Sequence, residues 1–161
     1  MNKPKAVIFD LDGTLANIDH RLHHFKGEGA TDWDAFFAGI PEDKVNKWCH
    51  ELILLVGRNN SDGLYMGGSD FTVRVLLVTC RPERVRGLTT AWLKGKWIKY
   101  SELLCREEGD RRPDYLVKEE ILHEQILPRY EVLFAVDDRQ SVVDMWRRNG
   151  ITCLQCAKGD Y

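Results

Sequence analysis

Long apolar runs are absent from this sequence. No stretch of about 18 consecutive apolar residues occurs, so no membrane-spanning helix is predicted. A surplus of positive charge is also absent, because the formal net charge is −2, and this argues against a protein that binds nucleic acid through its overall field. A local basic patch is compatible with that balance. The first five residues lead directly into an apolar segment, so we expect no signal peptide.

A disulfide framework is not expected either. The five cysteines are an odd number at irregular spacing, which indicates reduced thiols and a cytoplasmic protein. Cys153 and Cys156 have the C-x-x-C spacing, but no second Cys/His pair accompanies them. Two partly buried thiols are therefore favoured over a zinc or redox site. The length of 161 residues suits a single domain over 1–161 with a core of its own.

Two carboxylates follow the first apolar segment. Val7, Ile8 and Phe9 predict a short buried strand, and Asp10 and Asp12 come directly after it. At the carboxyl end of a strand in an open α/β sheet, side chains project into the crevice where ligands bind. An aspartate can attack phosphorus and a second carboxylate can transfer a proton, so the pair predicts phosphoryl transfer. The alternative is an Asp-rich turn with two solvated acids.

A second β-rich run, over 71–78, also ends in polar residues. Thr79, Cys80 and Arg81 follow it, immediately before a proline-initiated helix. A hydroxyl, a guanidinium and the free N–H groups of a helix start together favour an anion site, while an ordinary helix cap is the alternative.

A further apolar run, over 130–136, ends in Asp137 and Asp138 and so repeats the arrangement of the first strand. Four carboxylates at one sheet edge are difficult to sustain without a divalent cation, and a set of oxygen ligands suits Mg²⁺. Lys118 lies near the start of a helix predicted over 113–127, where a cation opposes the helix dipole. A nearby phosphate would offset that cost, and so would pairing with Glu119 or Glu120.

Residues 17–40 have no clear hydrophobic period and predict a flap that crosses the strand end. Arg21 on this flap could bind a phosphate bidentately, although plain surface solubility is the simpler role from spacing alone. Three histidines of the flap are expected to be solvated: His20, His23 and His24. Its aromatic residues could stack bases but are expected rather to pack the flap: Trp33, Phe36 and Phe37.

Strands and helices alternate along the rest of the chain, which predicts an α/β fold: a central parallel sheet with helices on both faces. The predicted helices cover 41–56, 83–97, 113–127 and 139–149. The remaining predicted strands cover 102–105 and 151–155, and the Gly/Asn/Ser/Asp-rich stretch 58–70 predicts a loop.

In chain order, the acid pair, the threonine, the lysine and the second acid pair resemble the four motifs of the haloacid dehalogenase (HAD) superfamily of phosphatases. The resemblance extends from Val7 to Arg139 and implies a single Rossmann-like domain with a small flap and no large cap domain. It also implies roles: Asp10 as nucleophile, Asp12 as general acid/base and Lys118 as charge stabiliser.

The same resemblance implies ligands for phosphate and metal. Thr79 would donate to the phosphate, with Cys80 beside it. Mg²⁺ would be held by the Asp10 side chain, the Asp12 backbone carbonyl and the pair Asp137 and Asp138, of which Asp137 is preferred as the direct ligand.

Several segments carry a closer resemblance, to the 3′-phosphatase domain of the bacteriophage polynucleotide kinase/phosphatase family. They are Arg106-Glu-x-Gly-Asp-x-Arg112, Val117-Lys-Glu-Glu-Ile121, Val136-Asp-Asp-Arg139, Met145-Trp-Arg-Arg148 and Gly159-Asp160. This resemblance implies removal of 3′-phosphates, including 2′,3′-cyclic phosphates, from polynucleotide ends, with Arg21 and Arg81 at phosphate-binding positions. No G-x-x-x-x-G-K-[S/T] motif occurs, so 5′-kinase activity is not expected.

Two other function classes stay open. A small-molecule phosphatase such as a nucleotidase would use every one of these catalytic residues, and only the flap and the basic loop 106–112 could distinguish it. A non-enzymatic binding domain on the same scaffold is the third class, and four intact residues argue against it: Asp10, Asp12, Lys118 and Asp137.

Overall fold

The computed structural model describes residues 3–25, 31–57 and 73–159. The strands in these ranges are β1 (Lys5–Phe9), β2 (Ala16–Asn17), β3 (Lys44–Val45), β4 (Arg74–Pro82), β5 (Glu102–Arg106), β6 (Glu131–Asp137) and β7 (Cys153–Gln155). Five of them form one parallel sheet in the order β5-β4-β1-β6-β7, and β2 pairs with β3 in a separate antiparallel ribbon. The first strand therefore lies at the centre of the sheet, between β4 and β6.

Helices connect these strands. They are α1 (Trp33–Ala38), α2 (Lys47–Gly57), α3 (Arg86–Gly95), α4 (Asp114–Ile121) and α5 (Gln140–Arg148). Short 3₁₀ turns cover Asp19–His24, Ile40–Glu42 and Glu83–Val85, and a π turn over Leu122–Ile126 extends α4. None of the helices in the described ranges combines the length and the apolar content that a bilayer span requires.

The sheet has a hydrophobic core on each face, because successive side chains of a strand point to opposite faces. On one face Val7 and Phe9 pack with side chains of α2 and α3, such as Trp92. On the other face Ile8 packs with side chains of α4 and α5, such as Trp146. The prediction of an α/β fold with helices on both faces of a parallel sheet is therefore confirmed.

The helix predicted over 41–56 was wrong at its start. Pro41 lies in a 3₁₀ turn, residues 44–45 form β3, and α2 begins only at Lys47. Contacts with distant residues override the local pattern here, since Asn46 donates from its backbone to the Leu15 carbonyl and from its side chain to the Thr14 carbonyl. The chain is thereby held against the turn that follows β1 before the helix starts.

Other predicted boundaries also moved. The helix predicted over 83–97 divides into a 3₁₀ turn and α3, and the one predicted over 113–127 ends in the π turn. The loop predicted over 58–70 and the first two residues of the strand predicted over 71–78 lie outside the described residues. All five cysteines are free thiols; Cys153 is buried and Cys156 is half-buried.

Candidate active site

A cavity of about 690 Å³ lies over the carboxyl edge of the parallel sheet. This edge contains the carboxyl ends of β1, β4 and β6, because parallel strands all point the same way. The lining includes most of the predicted site residues, among them Asp10, Asp12, Thr79, Lys118 and Asp137. The sheet topology thus brings together the motifs that are far apart in sequence.

Asp10 and Lys118 form the buried centre of the site. The Lys118 ammonium lies 2.7 Å from Asp10 Oδ1 and 2.7 Å from Asp137 Oδ2. Lys118 does not pair with its helix neighbours, since Glu119 bonds to Arg148 and Asn149, and Glu120 bonds to Arg112. Lys118 therefore pairs with acids at the edge of the sheet. The alternative that it pairs with Glu119 or Glu120 on its own helix is excluded.

The carboxylates of Asp10, Asp137 and Asp138 share one small space. One oxygen from each lies within 4.8 Å of the others, and all three residues are buried. Burial raises the pKa of Asp10 well above its ordinary value, and the two neighbouring carboxylates add to this against the opposing Lys118. The pKa of Lys118 is raised as well, because Asp10 and Asp137 outweigh the effect of burial.

This donor set fits a divalent cation. The negative charge of three carboxylates exceeds the positive charge of the one Lys118 ammonium group. Ligands that are all oxygen atoms suit Mg²⁺. Neighbouring groups orient the pair after β6: Trp146 Nε1 donates to Asp137 Oδ2 at 3.3 Å, and Thr14 Oγ1 donates to Asp138 Oδ1 at 3.3 Å. Gly159 also lies against Asp138, and a Cβ there would stand 2.7 Å from Asp138 Oδ2.

A second cluster surrounds Asp12, whose side chain lies among arginines rather than in the three-carboxylate group. Arg21 Nη2 lies 2.5 Å and Arg81 Nη2 2.6 Å from Asp12 Oδ1. Both arginines are only 1% exposed, so the surface role considered for Arg21 is excluded. Burial by itself would raise the pKa of Asp12, but the Arg81 and Arg21 guanidiniums outweigh it and lower that pKa to about 2.

Asp43 completes this cluster and was missed by sequence reasoning. It is 0% exposed, and its carboxylate accepts from Arg21 Nε at 2.7 Å and from Arg81 Nη2 at 2.8 Å. His20, which was expected to be solvated, is exposed but also places Nε2 2.9 Å from Asp43 Oδ1. A lone acid in a polar stretch carries no pattern that indicates burial. We call Asp12, Arg21, Asp43 and Arg81 the arginine cluster.

Thr79 and Cys80 line the cavity at the end of β4. Thr79 Oγ1 accepts from the Arg81 backbone N–H at 3.2 Å, whereas the next helical turn has no side-chain cap. Thr79 therefore supports the backbone that carries Arg81 and does not cap a helix. The Cys80 thiol donates to the Asp114 carbonyl at 3.8 Å, and burial raises its pKa.

The cavity has one charged wall and one aromatic wall. The charged wall, which we call the arginine loop, is 106–112, and it contains three arginines and three acids. Within it Arg106 bonds to Asp114 and Arg112 to Asp110, while the exposed Arg111 has no ion pair within the described part of the chain. The aromatic wall consists of Phe25, Trp33, Phe36 and Phe37. Phe36 and Phe37 are buried, as the packing prediction required, but Trp33 is 46% exposed.

Comparison with known proteins shows which proteins this chain resembles. The family of polynucleotide kinase PNKP phosphatase domains matches residues 4–161. A protein of Autographa californica nuclear polyhedrosis virus, described as a bifunctional polynucleotide kinase/RNA ligase, is 30% identical over 146 residues, which are 89% of this chain and 18% of the viral protein.

Among solved structures, a chain of the Pnkp1/Rnl/Hen1 RNA repair complex is 31% identical with a TM-score of 0.78, over 99% of this chain and 44% of that one. A hydrolase from Streptococcus pneumoniae TIGR4, with a TM-score of 0.56 at 12% identity, shares the fold alone. This chain spans less than half the length of the viral protein and of the repair-complex chain.

Proposed function

Because this chain belongs to the family of polynucleotide kinase PNKP phosphatase domains, and so to the HAD phosphatases, we propose that it removes 3′-phosphates, including 2′,3′-cyclic phosphates, from polynucleotide ends. The reaction would use bound Mg²⁺ and a covalent phosphate on Asp10. One observation carries this proposal: Asp10 stands at the end of the central strand, bonded to Lys118, in one cavity with Asp12 and the acids after β6.

For a 3′-phosphate the proposed reaction has two steps, and a 2′,3′-cyclic phosphate, which has two ester bonds, would require the cycle twice. In the first step, an Asp10 carboxylate oxygen attacks phosphorus, the bond from phosphorus to the 3′-oxygen breaks, and Asp12 gives that oxygen a proton. In the second, water attacks the phosphorus of aspartyl-phosphate, Asp12 takes the proton of the water, and the bond to Asp10 breaks. Inorganic phosphate leaves, and both aspartates return to their starting states.

The arginine cluster supports this division of roles. With its pKa lowered to about 2, Asp12 is ionised at neutral pH, which suits the step that activates water. Its role as acid in the first step requires Arg21 and Arg81 to turn from Asp12 toward another anion, so that the Asp12 carboxylate takes up a proton from solvent before the first step. The phosphate of the substrate is such an anion, and guanidinium groups bind phosphate through paired hydrogen bonds.

The positive charge around the site has separate tasks. Lys118 would offset the charge that develops on the transferred phosphoryl group next to Asp10. Mg²⁺, when bound by Asp10, Asp137 and Asp138, would add electrostatic stabilisation of the same oxygens. Thr79 would contribute a hydroxyl donor from the end of β4.

Phosphate release from matched substrates tests the proposal. The panel holds a 3′-phosphorylated oligonucleotide, a 5′-phosphorylated oligonucleotide, and mononucleotides with 3′- or 5′-phosphate, each with Mg²⁺ and with EDTA. We expect Mg²⁺-dependent release that is fastest from the 3′-phosphorylated oligonucleotide. Faster release from mononucleotides would instead assign a nucleotidase with the same chemistry, and no release from any substrate would contradict the catalytic proposal.

A further inference from the structure

We propose that Trp33 is a stacking platform for the terminal base of the polynucleotide, so that α1 provides a subsite for the nucleotide that carries the 3′-phosphate. This inference rests on the proposed function and specifies how the same site selects its substrate. Neither the HAD motifs nor the residues around Asp10 assign any role to this tryptophan.

The indole ring of Trp33 is held in place by other aromatic rings. Phe37 lies against it in a stacked arrangement, with ring centroids 5.7 Å apart and an interplanar angle of 21°. Phe25 and Phe36 contact it edge-on, at 5.3 Å and 5.8 Å. Such bracing fixes the ring before a ligand arrives, which reduces the entropy lost on binding.

Trp33 nevertheless keeps 46% of its surface exposed, and it lines the cavity that contains Asp10. Exposed tryptophans at the edge of a core are common, so exposure alone does not indicate a binding role. What distinguishes Trp33 is its position in the wall of this cavity. Trp48 is equally exposed at 46% and Trp97 is exposed at 85%, yet neither lines this cavity. Trp33 is thus the exposed indole that a substrate bound at Asp10 would meet.

Phe36 connects Trp33 to the arginine cluster. The Arg21 guanidinium, which contacts Asp12, lies 4.2 Å from the Phe36 ring centroid, and Phe36 in turn contacts Trp33. One aromatic ring therefore separates a phosphate-binding group from the platform. Arg81 of the same cluster lines the cavity together with Trp33, so a phosphate at Arg81 and a base at Trp33 would lie in one cavity.

The arginine loop lines the same cavity and contains one cation for a strand phosphate. Arg84 crosses between the walls, since its guanidinium lies 3.2 Å from Asp34 on α1 and 3.0 Å from Glu108 in the arginine loop. Arg111 of that loop is exposed and has no ion pair among the described residues. An aromatic stacking platform and a cation for the backbone phosphate are among the usual components of single-strand binding.

The test compares two 3′-phosphorylated oligonucleotides that differ only at the last residue, which carries either a base or a tetrahydrofuran abasic analogue. For the wild-type chain we expect kcat/KM to be about tenfold or more higher with the base present, the range that base–aromatic stacking supplies. Trp33→Ala should bring the ratio close to one, chiefly by lowering kcat/KM on the substrate that carries the base. Trp33→Phe should retain most of the ratio, and Trp48→Ala should leave it as in the wild type.

Trp33→Leu covers the case in which Trp33→Ala disturbs the packing of α1, because leucine fills space but offers no aromatic face. A wild-type ratio close to one, or a full ratio in Trp33→Leu or Trp33→Ala, would overturn the stacking inference while leaving the 3′-phosphatase intact. No release from either oligonucleotide by the wild-type chain would instead overturn the proposed function, and the inference with it.

Discussion

Asp10 and Asp12 are two positions apart in sequence but have opposite electrostatic surroundings. Asp10 shares its space with two carboxylates and one lysine, and burial raises its pKa well above the ordinary value. Asp12 lies between two guanidiniums, which lower its pKa to about 2. These surroundings by themselves favour the neutral form of Asp10 and the ionised form of Asp12, which is the reverse of what the first proposed step needs. A cation held by Asp10, Asp137 and Asp138, and a substrate phosphate held by Arg21 and Arg81, would act against both shifts.

The role of Asp10 can be tested by Asp10→Asn. The amide keeps the shape of the side chain, and Lys118 retains its bond to Asp137, so the fold should persist. The attacking oxygen is lost, so kcat on the preferred substrate should fall by far more than about a hundredfold. Steady-state kinetics measures kcat, and circular dichroism measures whether the fold persists. The control is Asp19→Asn, because Asp19 is an exposed acid outside the cavity. A rate above a hundredth of wild type would contradict the nucleophile assignment.

Asp43 should matter for both stability and activity. Asp43→Asn removes the carboxylate charge that faces two buried guanidiniums, and breaking a buried ion pair on one side costs about 3–5 kcal/mol. We also expect kcat/KM to fall, because Arg21 and Arg81 lose the group that orients them. Urea denaturation and phosphate release measure the two effects. Glu42→Gln, an exposed neighbour, is the control, and a loss below about 1 kcal/mol with unchanged kcat/KM would remove Asp43 from the site.

The contrast between Asp10 and Asp43 shows which site residues can be predicted from the sequence. Asp10 follows an apolar strand and precedes Asp12 and Gly13, so its role is expressed in adjacent residues. Asp43 acts on Arg21 and Arg81, which are 22 and 38 positions away. Contacts over such distances depend on the complete fold and leave no local pattern.

Strand ends were predictable because each combines an apolar run with the polar residues that follow it. Helix starts were less so, as α2 shows: residues 44–46 have a helical pattern but bond to β2 and to the turn before it. Pairing with an existing edge satisfies backbone groups that a helix would otherwise satisfy, and tertiary contacts then outweigh local propensity. Element types were therefore mostly correct, and boundaries moved where the site required contacts.

The segment after β7 contributes to the acidic cluster through Gly159. Its φ is +56°, and a Cβ would stand 2.7 Å from both Arg139 Cα and Asp138 Oδ2. Gly159→Ala should therefore destabilise the chain by about 1 kcal/mol or more and lower activity several-fold, because the acid after β6 must move. Gly87→Ala is the matched control, for which the expected change in stability has the opposite sign.

Gly87 lies in α3, is exposed, and has no atom within 4 Å of the position of a Cβ. Alanine should therefore stabilise the helix by up to about 1 kcal/mol and leave activity unchanged. Thermal unfolding and phosphate release are measured for both variants. If Gly159→Ala retained wild-type activity and stability, the close approach of this segment to Asp138 would have no functional consequence.

The arginine loop connects β5 to α4, and its contact with the polynucleotide strand can be tested separately. Since Arg111 has no ion pair among the described residues, it can contact a strand phosphate without first breaking a bond. Arg111→Ala should raise KM for the 3′-phosphorylated oligonucleotide and reduce the slope of log(kcat/KM) against log salt by about one. Arg74→Ala, at the opposite end of β4, should change neither, and an unaltered slope in Arg111→Ala would exclude the loop as a strand contact.

At the scale of the whole molecule, the site exists only because the sheet is complete. Lys118 and Asp10 are 108 positions apart, and the acids after β6 reach Asp10 only through the parallel pairing of β6 with β1. The three carboxylates are held together at a cost that unfolding relieves. A cation that binds this cluster therefore binds the folded chain and not the unfolded one.

Global stability should accordingly depend on Mg²⁺. A ligand at about 100 times its dissociation constant stabilises the folded state by about 2.7 kcal/mol, so Tm should rise with Mg²⁺ and fall again when EDTA is added. Asp137→Asn should remove most of this increase because it deletes one ligand of the cluster. Asp144→Asn, an exposed acid of α5, should keep it. Differential scanning calorimetry measures all three chains, and a Tm that does not respond to Mg²⁺ in the wild type would show that the three carboxylates do not bind the ion.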